Sequence, residues 1–401
     1  MSIAYIIDGV RTPVANFGGS LAHVRADDMA AMVIRKLYEK YPGIPLDLYD
    51  DVILGCANQA GEDNRNVARM AGLLSGLPYN IPGETVNRLC ASGMSAVVHA
   101  YRAILAGEGD LFIAGGVEQM TRGPWVISKV SKPFGRDAEM HDSSFGWRFI
   151  NPKMQEVYGT EGMGQTAENL AEMYQIDRIS QDTFAVSSQE KAAIASKSGR
   201  LSREILPIEI PQRKGLPIVF AEDEFIKPDS NIETLTKLRP AFKKDGTVTA
   251  GNASGLNDGA AAVLVASESG VRRFGLKPLA KVVSSAVVGV EPRIMGIGPV
   301  KASELALKRA GLTLGQMEVI ELNEAFAAQA LACTRNMGLR DDDPRINPNG
   351  GAIAIGHPLG MSGARLIHTA SLELSLTGKK YALCTMCIGV GQGYAVVLER
   401  V

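Results

Sequence analysis

Cysteine is scarce in this chain. Its 401 residues include five, Cys56, Cys90, Cys333, Cys384 and Cys387, an odd set too sparse for a disulfide framework, so free thiols in a reducing compartment are expected. Charge of one sign is also missing: 42 Lys and Arg against 43 Asp and Glu leave a formal net charge of −1, with no global attraction to nucleic acid or to an anionic membrane. An anionic ligand must then be held by local groups. No uninterrupted apolar run is long enough to span a bilayer, no basic leader precedes the strand-like Ser2–Asp8, and Leu398–Val401 is not a peroxisomal address. The expectation is a cytoplasmic protein with neither a membrane nor a nucleic-acid partner. Cys384–Cys387 has C-x-x-C spacing, but there is no second such pair and no H-x-x-x-H pair, so no metal site is expected.

What is present describes a soluble globular protein, 46% apolar and 21% charged, long enough for two or three domains. Strand-like and helix-like segments alternate. Strands are expected at 3–8, 51–56, 84–88 and 111–115, with helices near 26–41, 64–75 and 91–107. The order returns later, with strands at 280–288, 317–322 and 380–385 and helices at 299–311, 324–337 and 360–377, a glycine-rich turn occupying 347–356. Such alternation predicts an α/β fold with a mostly parallel sheet in each half. Residues 121–246 break the pattern, being polar with few clean strands, and read as a lid or binding loop rather than mere decoration. Thr247–Ala250 and Ala260–Ala266 look like strands rejoining the first core. The expected organisation is thus an N-terminal half, 1–120 with 247–272, a lid region, 121–246, and a C-terminal half, 273–401.

The two halves echo each other at a constant offset. Residues 90–96 read Cys-Ala-Ser-Gly-Met-Ser-Ala and 357–363 read His-Pro-Leu-Gly-Met-Ser-Gly, with 357 − 90 = 267 and 360 − 93 = 267. The ends of two apolar runs, at Cys56 and Asn323, keep the same spacing, 323 − 56 = 267. A duplicated fold would place Cys90 and His357 at equivalent positions facing each other across a pseudo-twofold axis, a nucleophile and a base at a domain interface.

Each residue has a plainer alternative. Cys90 could be an inert buried thiol, but it lies between a strand and a helix, where unpaired backbone N–H groups would stabilise a thiolate and lower its pKa. His357 could be a structural histidine in a turn fixed by Gly356 and Pro358; the shared offset argues otherwise. Cys387 precedes Ile388-Gly389-Val390-Gly391 and looks like a second acid/base with backbone N–H groups beside it for an oxyanion.

Five motifs, Asn87–Gly93, Gly251–Ala260, Asn323–Phe326, Gly350–Pro358 and Cys387–Gly389, resemble in order and spacing the motif set of the thiolases. The resemblance spans essentially the whole chain. Gly61–Arg69 and Gly146–Pro152 are similar to the branch that cleaves 3-oxoadipyl-CoA. The resemblance implies a thiolase-like duplicated α/β fold with a pseudo-twofold and a lid insertion. It implies that Cys90 attacks a 3-oxoacyl-CoA, that His357 takes its proton and that Cys387 protonates the acetyl-CoA enolate. Asn323 would hold a water of one oxyanion hole, and Gly389 would contribute a backbone N–H to the other. Ser254 matches a pantetheine contact, and Met163, Phe242, Ala250 and Phe326 match substrate-binding positions. CoA thioesters are then the partners, no cofactor is needed, and a homotetramer of tight dimers is expected.

The resemblance is imperfect at one informative place. Thiolases acting on acetoacetyl-CoA commonly carry a histidine before the Met-Gly of the lid, where this chain has Gly162 before Met163-Gly164. A 3-oxoadipyl group ends in a carboxylate that a buried site must pair with donors. Arg148 is the candidate, against the alternative that Trp147, Arg148 and Phe149 anchor the lid to a neighbouring subunit. A general 3-oxoacyl-CoA thiolase, a decarboxylating condensing enzyme and a non-catalytic CoA-binding protein are the other readings; the second cysteine and the intact residue set count against the last two.

Overall fold

The computed structural model describes residues 2–212 and 214–401. Strands β1 (Ala4–Arg11), β2 (Ala15–Asn16), β3 (Asp51–Gly55), β4 (Gly83–Val86) and β5 (Leu111–Gln119) alternate with helices Ala26–Glu39, Val67–Ser75 and Ser92–Ala106. The excursion after β5 contains two hairpins, β6 (Trp125–Ile127) with β7 (Met140–Asp142) and β8 (Ile208–Ile210) with β9 (Ile218–Phe220). It also contains helices Met163–Met173 and Arg178–Lys197. β10 (Asn257–Ser267) returns to the first sheet, followed by β11 (Ala280–Gly289), β12 (Val319–Leu322), β13 (Tyr381–Ile388) and β14 (Gln392–Arg400).

The strand order β12-β13-β14-β11-β1-β10-β5-β3-β4 reads as two mirrored runs. From the centre outward one run is β1, β10, β5, β3 and β4, and the other is β11, β14, β13 and β12. A parallel bridge between Ile320 and Ile346 takes the place that β4 holds in the first half. β3 is parallel to β4 and β5, and β12 to β13, whereas β10 and β14 are antiparallel to both neighbours. In each run every strand but the last in sequence therefore points the same way, as the alternation of strands and helices predicts. The last strand inserts beside the first, between β1 and β5 in one run and between β11 and β13 in the other, and supplies the antiparallel ladders.

Helices Ser92–Ala106 and Leu359–Thr377 start at equivalent positions, 359 − 92 = 267, and share one core with inward residues of both halves. Their contact depends on glycine. A Cβ on Gly93 would lie 2.4 Å from Gly360 O, and one on Gly363 would lie 2.3 Å from Met94 N. The backbones touch, and the helix starts that carry Cys90 and His357 are drawn together. The segment Leu89–Ala106 has a mean hydropathy of 1.3, enough by length and composition for a membrane span; its burial between two halves explains that apolarity. Helices Ala26–Glu39 and Val67–Ser75 cover the other face of the first half, and Gly298–Ala310 covers that of the second.

One expected strand is absent. Thr247–Ala250 forms a turn in which Asn252 Oδ1 accepts Thr249 N–H at 2.8 Å. The Glu168 carboxylate takes the N–H groups of Thr247 and Val248 at 2.9 Å each, removing the donors a β-ladder would need. The excursion is secured to β1 by buried Arg11, which donates two bonds to Asp223, 2.7 and 2.9 Å, and one to Glu204, 3.1 Å.

Candidate active site

Cys90 sits in the bend between β4 and helix Ser92–Ala106, after Leu89, whose φ of 47° is left-handed. The backbone N–H groups of Gly389 and of Cys90 itself favour its thiolate. They do not make it acidic, contrary to the expectation for a helix start. Burial pushes the thiol up to about 11, and the Glu118 charge adds to the rise against the two N–H groups.

His357 is buried at the turn before helix Leu359–Thr377. Gly356 precedes it with φ 108°, where a Cβ would also strike Asn257 at 2.7 Å, and Asn257 Oδ1 accepts the His357 backbone N–H at 2.9 Å. The imidazole tautomer follows from its neighbours. Ser362 Oγ donates to Pro358 O at 2.8 Å, so its lone pairs accept from His357 Nδ1–H at 2.6 Å. Nε2 is then the bare nitrogen, facing the Asn323 amide Nδ2 at 3.3 Å. Burial and the nearby Arg365 charge push the imidazole down to about 3, so it rests neutral.

Asn323 follows β12, its backbone N–H bonded to Thr385 O at 3.0 Å and its buried Oδ1 unpartnered. Cys387 lies on β13 with its thiol raised by burial and by the charge of Cys90. The other cysteine of the C-x-x-C pair is excluded from the site by strand geometry. Positions three apart project to opposite faces, and Cys384 packs in the shared core while Cys387 packs beside Phe326 and Met163.

Cys90 opens into a cavity of about 270 Å³ whose wall includes Leu89, Glu118, Ser144, Trp147, Arg148, Met163 and Gly389. Of the residues expected to bind substrate, Met163 and Arg148 therefore reach this wall. Phe242, Ala250, Ser254 and Phe326 do not line it. The Phe242 ring lies against Gly164, next in the chain to Met163 of the wall, and stands edge-on to Phe326 with centroids 6.0 Å apart. Ser254 Oγ donates to Ala325 O at 3.0 Å, and Ala250 is exposed in the turn.

Three contributors receive no role from the motifs, although Glu324 lies within Asn323–Phe326. Ser362 fixes the histidine tautomer; its only sequence signal is that it matches Ser95 at the same offset, 362 − 95 = 267. Glu118, at the end of β5, accepts the N–H groups of Ala57, Asn58 and Gly360 at 3.0, 2.8 and 2.7 Å, linking the two halves beside Cys90. Burial pushes its carboxyl up to about 7 against these donors. Glu324 binds Ser188 Oγ and Asn347 Nδ2, each at 2.6 Å, and so shapes the turn leading to His357.

This pairing of a cysteine and a histidine from duplicated halves has close counterparts. A family model described as thiolase, N-terminal domain, matches residues 4–269, and one described as thiolase, C-terminal domain, matches 276–400. The chain is 57% identical over 401 residues, all of both chains, to the beta-ketoadipyl-CoA thiolase of Acinetobacter baylyi. It is 56% identical over 401 residues, again all of both chains, to the 3-oxoadipyl-CoA/3-oxo-5,6-dehydrosuberyl-CoA thiolase of Escherichia coli K12. The crystal structure of human mitochondrial 3-ketoacyl-CoA thiolase superposes with a TM-score of 0.92 at 39% identity, covering 100% of this chain and 99% of that one. The chain belongs to the thiolase family of acyltransferases.

Proposed function

We propose that this thiolase cleaves 3-oxoadipyl-CoA with CoA to give acetyl-CoA and succinyl-CoA, a step at the end of aromatic-acid degradation. The observation that carries the chemistry is that the helix starts bearing Cys90 and His357 touch, a Cβ on Gly93 falling 2.4 Å from Gly360 O, with Gly389 beside Cys90 on one cavity wall. The names of the two relatives identical at 57% and 56% support the substrate.

Cys90 and His357 both rest neutral, so the thiol proton moves to His357 Nε2 as sulfur attacks C3 of the substrate. The backbone N–H groups of Cys90 and Gly389 hold the oxyanion of the tetrahedral adduct. Its collapse breaks the C2–C3 bond, leaving a succinyl thioester on Cys90 and the enolate of acetyl-CoA, whose thioester oxygen is held at Asn323 and His357. Cys387 gives the enolate its proton. After acetyl-CoA leaves, the thiolate of Cys387 takes the proton of incoming CoA, and the CoA sulfur displaces Cys90. The departing Cys90 sulfur recovers its proton from His357, and every group returns to its starting state. CoA is a substrate here, so the cycle calls on no metal or organic cofactor. A tetramer of tight dimers and a cytoplasmic location accompany this reading; sedimentation and cell fractionation check them.

CoA-dependent thiolysis of 3-oxoadipyl-CoA, acetoacetyl-CoA and a medium-chain 3-oxoacyl-CoA, with Cys90→Ala as control, tests the proposal. A strong preference for 3-oxoadipyl-CoA that vanishes in the control is the expected result. Equal cleavage of all three would retain the thiolase and overturn the substrate.

A further inference from the structure

We propose that Arg148, in the loop Ser143–Phe149, is the receptor for the terminal carboxylate of a dicarboxylic 3-oxoacyl group. This rests on the substrate reading above and names the residue that enforces it. Arg148 belongs to the wall of the cavity that contains Cys90. Among the described residues it is the only basic residue on that wall and has no acidic partner. Its hydrogen bond runs from Nη1 to Ser143 O at 3.2 Å. Glu118, the only acid on the wall among the described residues, is tied to three backbone N–H groups instead.

The loop is also built to keep its shape. Phe149 has a φ of 49°, a left-handed conformation that a bulky residue adopts only when its surroundings impose it. Its ring meets His141 edge-on at 4.9 Å, and Trp147 Nε1 donates to Glu161 O at 3.2 Å. Ser143 O, which anchors Arg148, also accepts from Asn58 Nδ2 at 3.2 Å. The guanidinium fork is therefore partly oriented before substrate arrives, and a fork suits a carboxylate better than a methyl group.

The test compares thiolysis of 3-oxoadipyl-CoA with that of 3-oxohexanoyl-CoA, which has a methyl group in place of the carboxylate, in the full-length enzyme. Arg148→Met should lower kcat/KM for 3-oxoadipyl-CoA by roughly 10- to 150-fold, while 3-oxohexanoyl-CoA changes by less than about threefold. Arg148→Lys should recover part of the loss, since it restores the charge without the fork. Turnover of 3-oxohexanoyl-CoA also reports that each variant is folded. If the wild-type enzyme prefers 3-oxoadipyl-CoA but Arg148→Met depresses both substrates equally, the receptor is elsewhere and the inference fails alone. If the wild-type enzyme shows no preference, the substrate reading fails and the inference falls with it.

Discussion

Cys90, the proposed nucleophile, rests neutral. Two N–H groups favour its thiolate, but burial outweighs them and holds the thiol near pKa 11, while His357 is held near 3. With the thiol pKa raised, the thiolate fraction falls about tenfold for each pH unit below it. Alkylation of Cys90 by iodoacetamide should therefore keep accelerating from pH 7 to beyond pH 10. A plateau by pH 8 would mean that a thiolate–imidazolium pair already exists in the resting enzyme. The sequence nominates the residues proposed to react, because the motifs name Cys90, His357 and Cys387 and the shared offset pairs the first two. It does not show their protonation, since a helix start suggests an acidic thiol and only the surrounding atoms reveal the opposing burial.

At the scale of elements, the site depends on two helices crossing at glycine. Ser92–Ala106 and Leu359–Thr377 are recognisable from helical periodicity and from Gly107 at the end of the first. Their mutual contact is not, because each glycine matters through an atom more than 260 residues away in the chain, Gly93 against Gly360 O. Gly93→Ala would place a Cβ on that carbonyl and push apart the strand–helix junctions bearing Cys90 and His357. A loss of about 1–3 kcal/mol in urea unfolding is expected, together with reduced thiolysis. Unchanged stability would show that the helices can separate freely. Thr247–Ala250 illustrates the converse error: a short β-like run loses its strand when Glu168 takes its N–H groups.

For the whole molecule, the excursion between β5 and β10 must be fixed relative to both halves if its Met163 and Arg148 are to meet Cys90. The buried Arg11 cluster supplies one such tie, joining β1 to Glu204 and Asp223. Arg11→Met would leave two carboxylates buried without their cation, an expected loss of about 3–5 kcal/mol. The pH dependence has a definite sign. Burial opposes ionisation of Glu204, but Arg11 and Arg200 prevail and lower its pKa from 4.5 to about 2. That stabilisation is complete above about pH 4.5 and is lost as pH falls toward 2. In Arg11→Met the stability lost between pH 7 and pH 3 should be smaller than in the wild type. An identical acid slope would remove Arg11 from the account.

The sequence by itself determined the duplication, the succession of strands and helices, and the candidate reactive side chains, because these rest on local periodicity and on residue types repeated at a fixed offset. The tertiary structure alone decided what those groups have as neighbours. The insertion of β10 and β14 into the sheet, the contact of Gly93 with Gly360, and the meeting of Cys90, Arg148 and Gly389 on one cavity wall all join distant segments, and the Ser362 bond that selects the His357 tautomer is equally a matter of packing. Burial and hydrogen-bond partnership are properties of the packed chain, and no spacing along it encodes them directly.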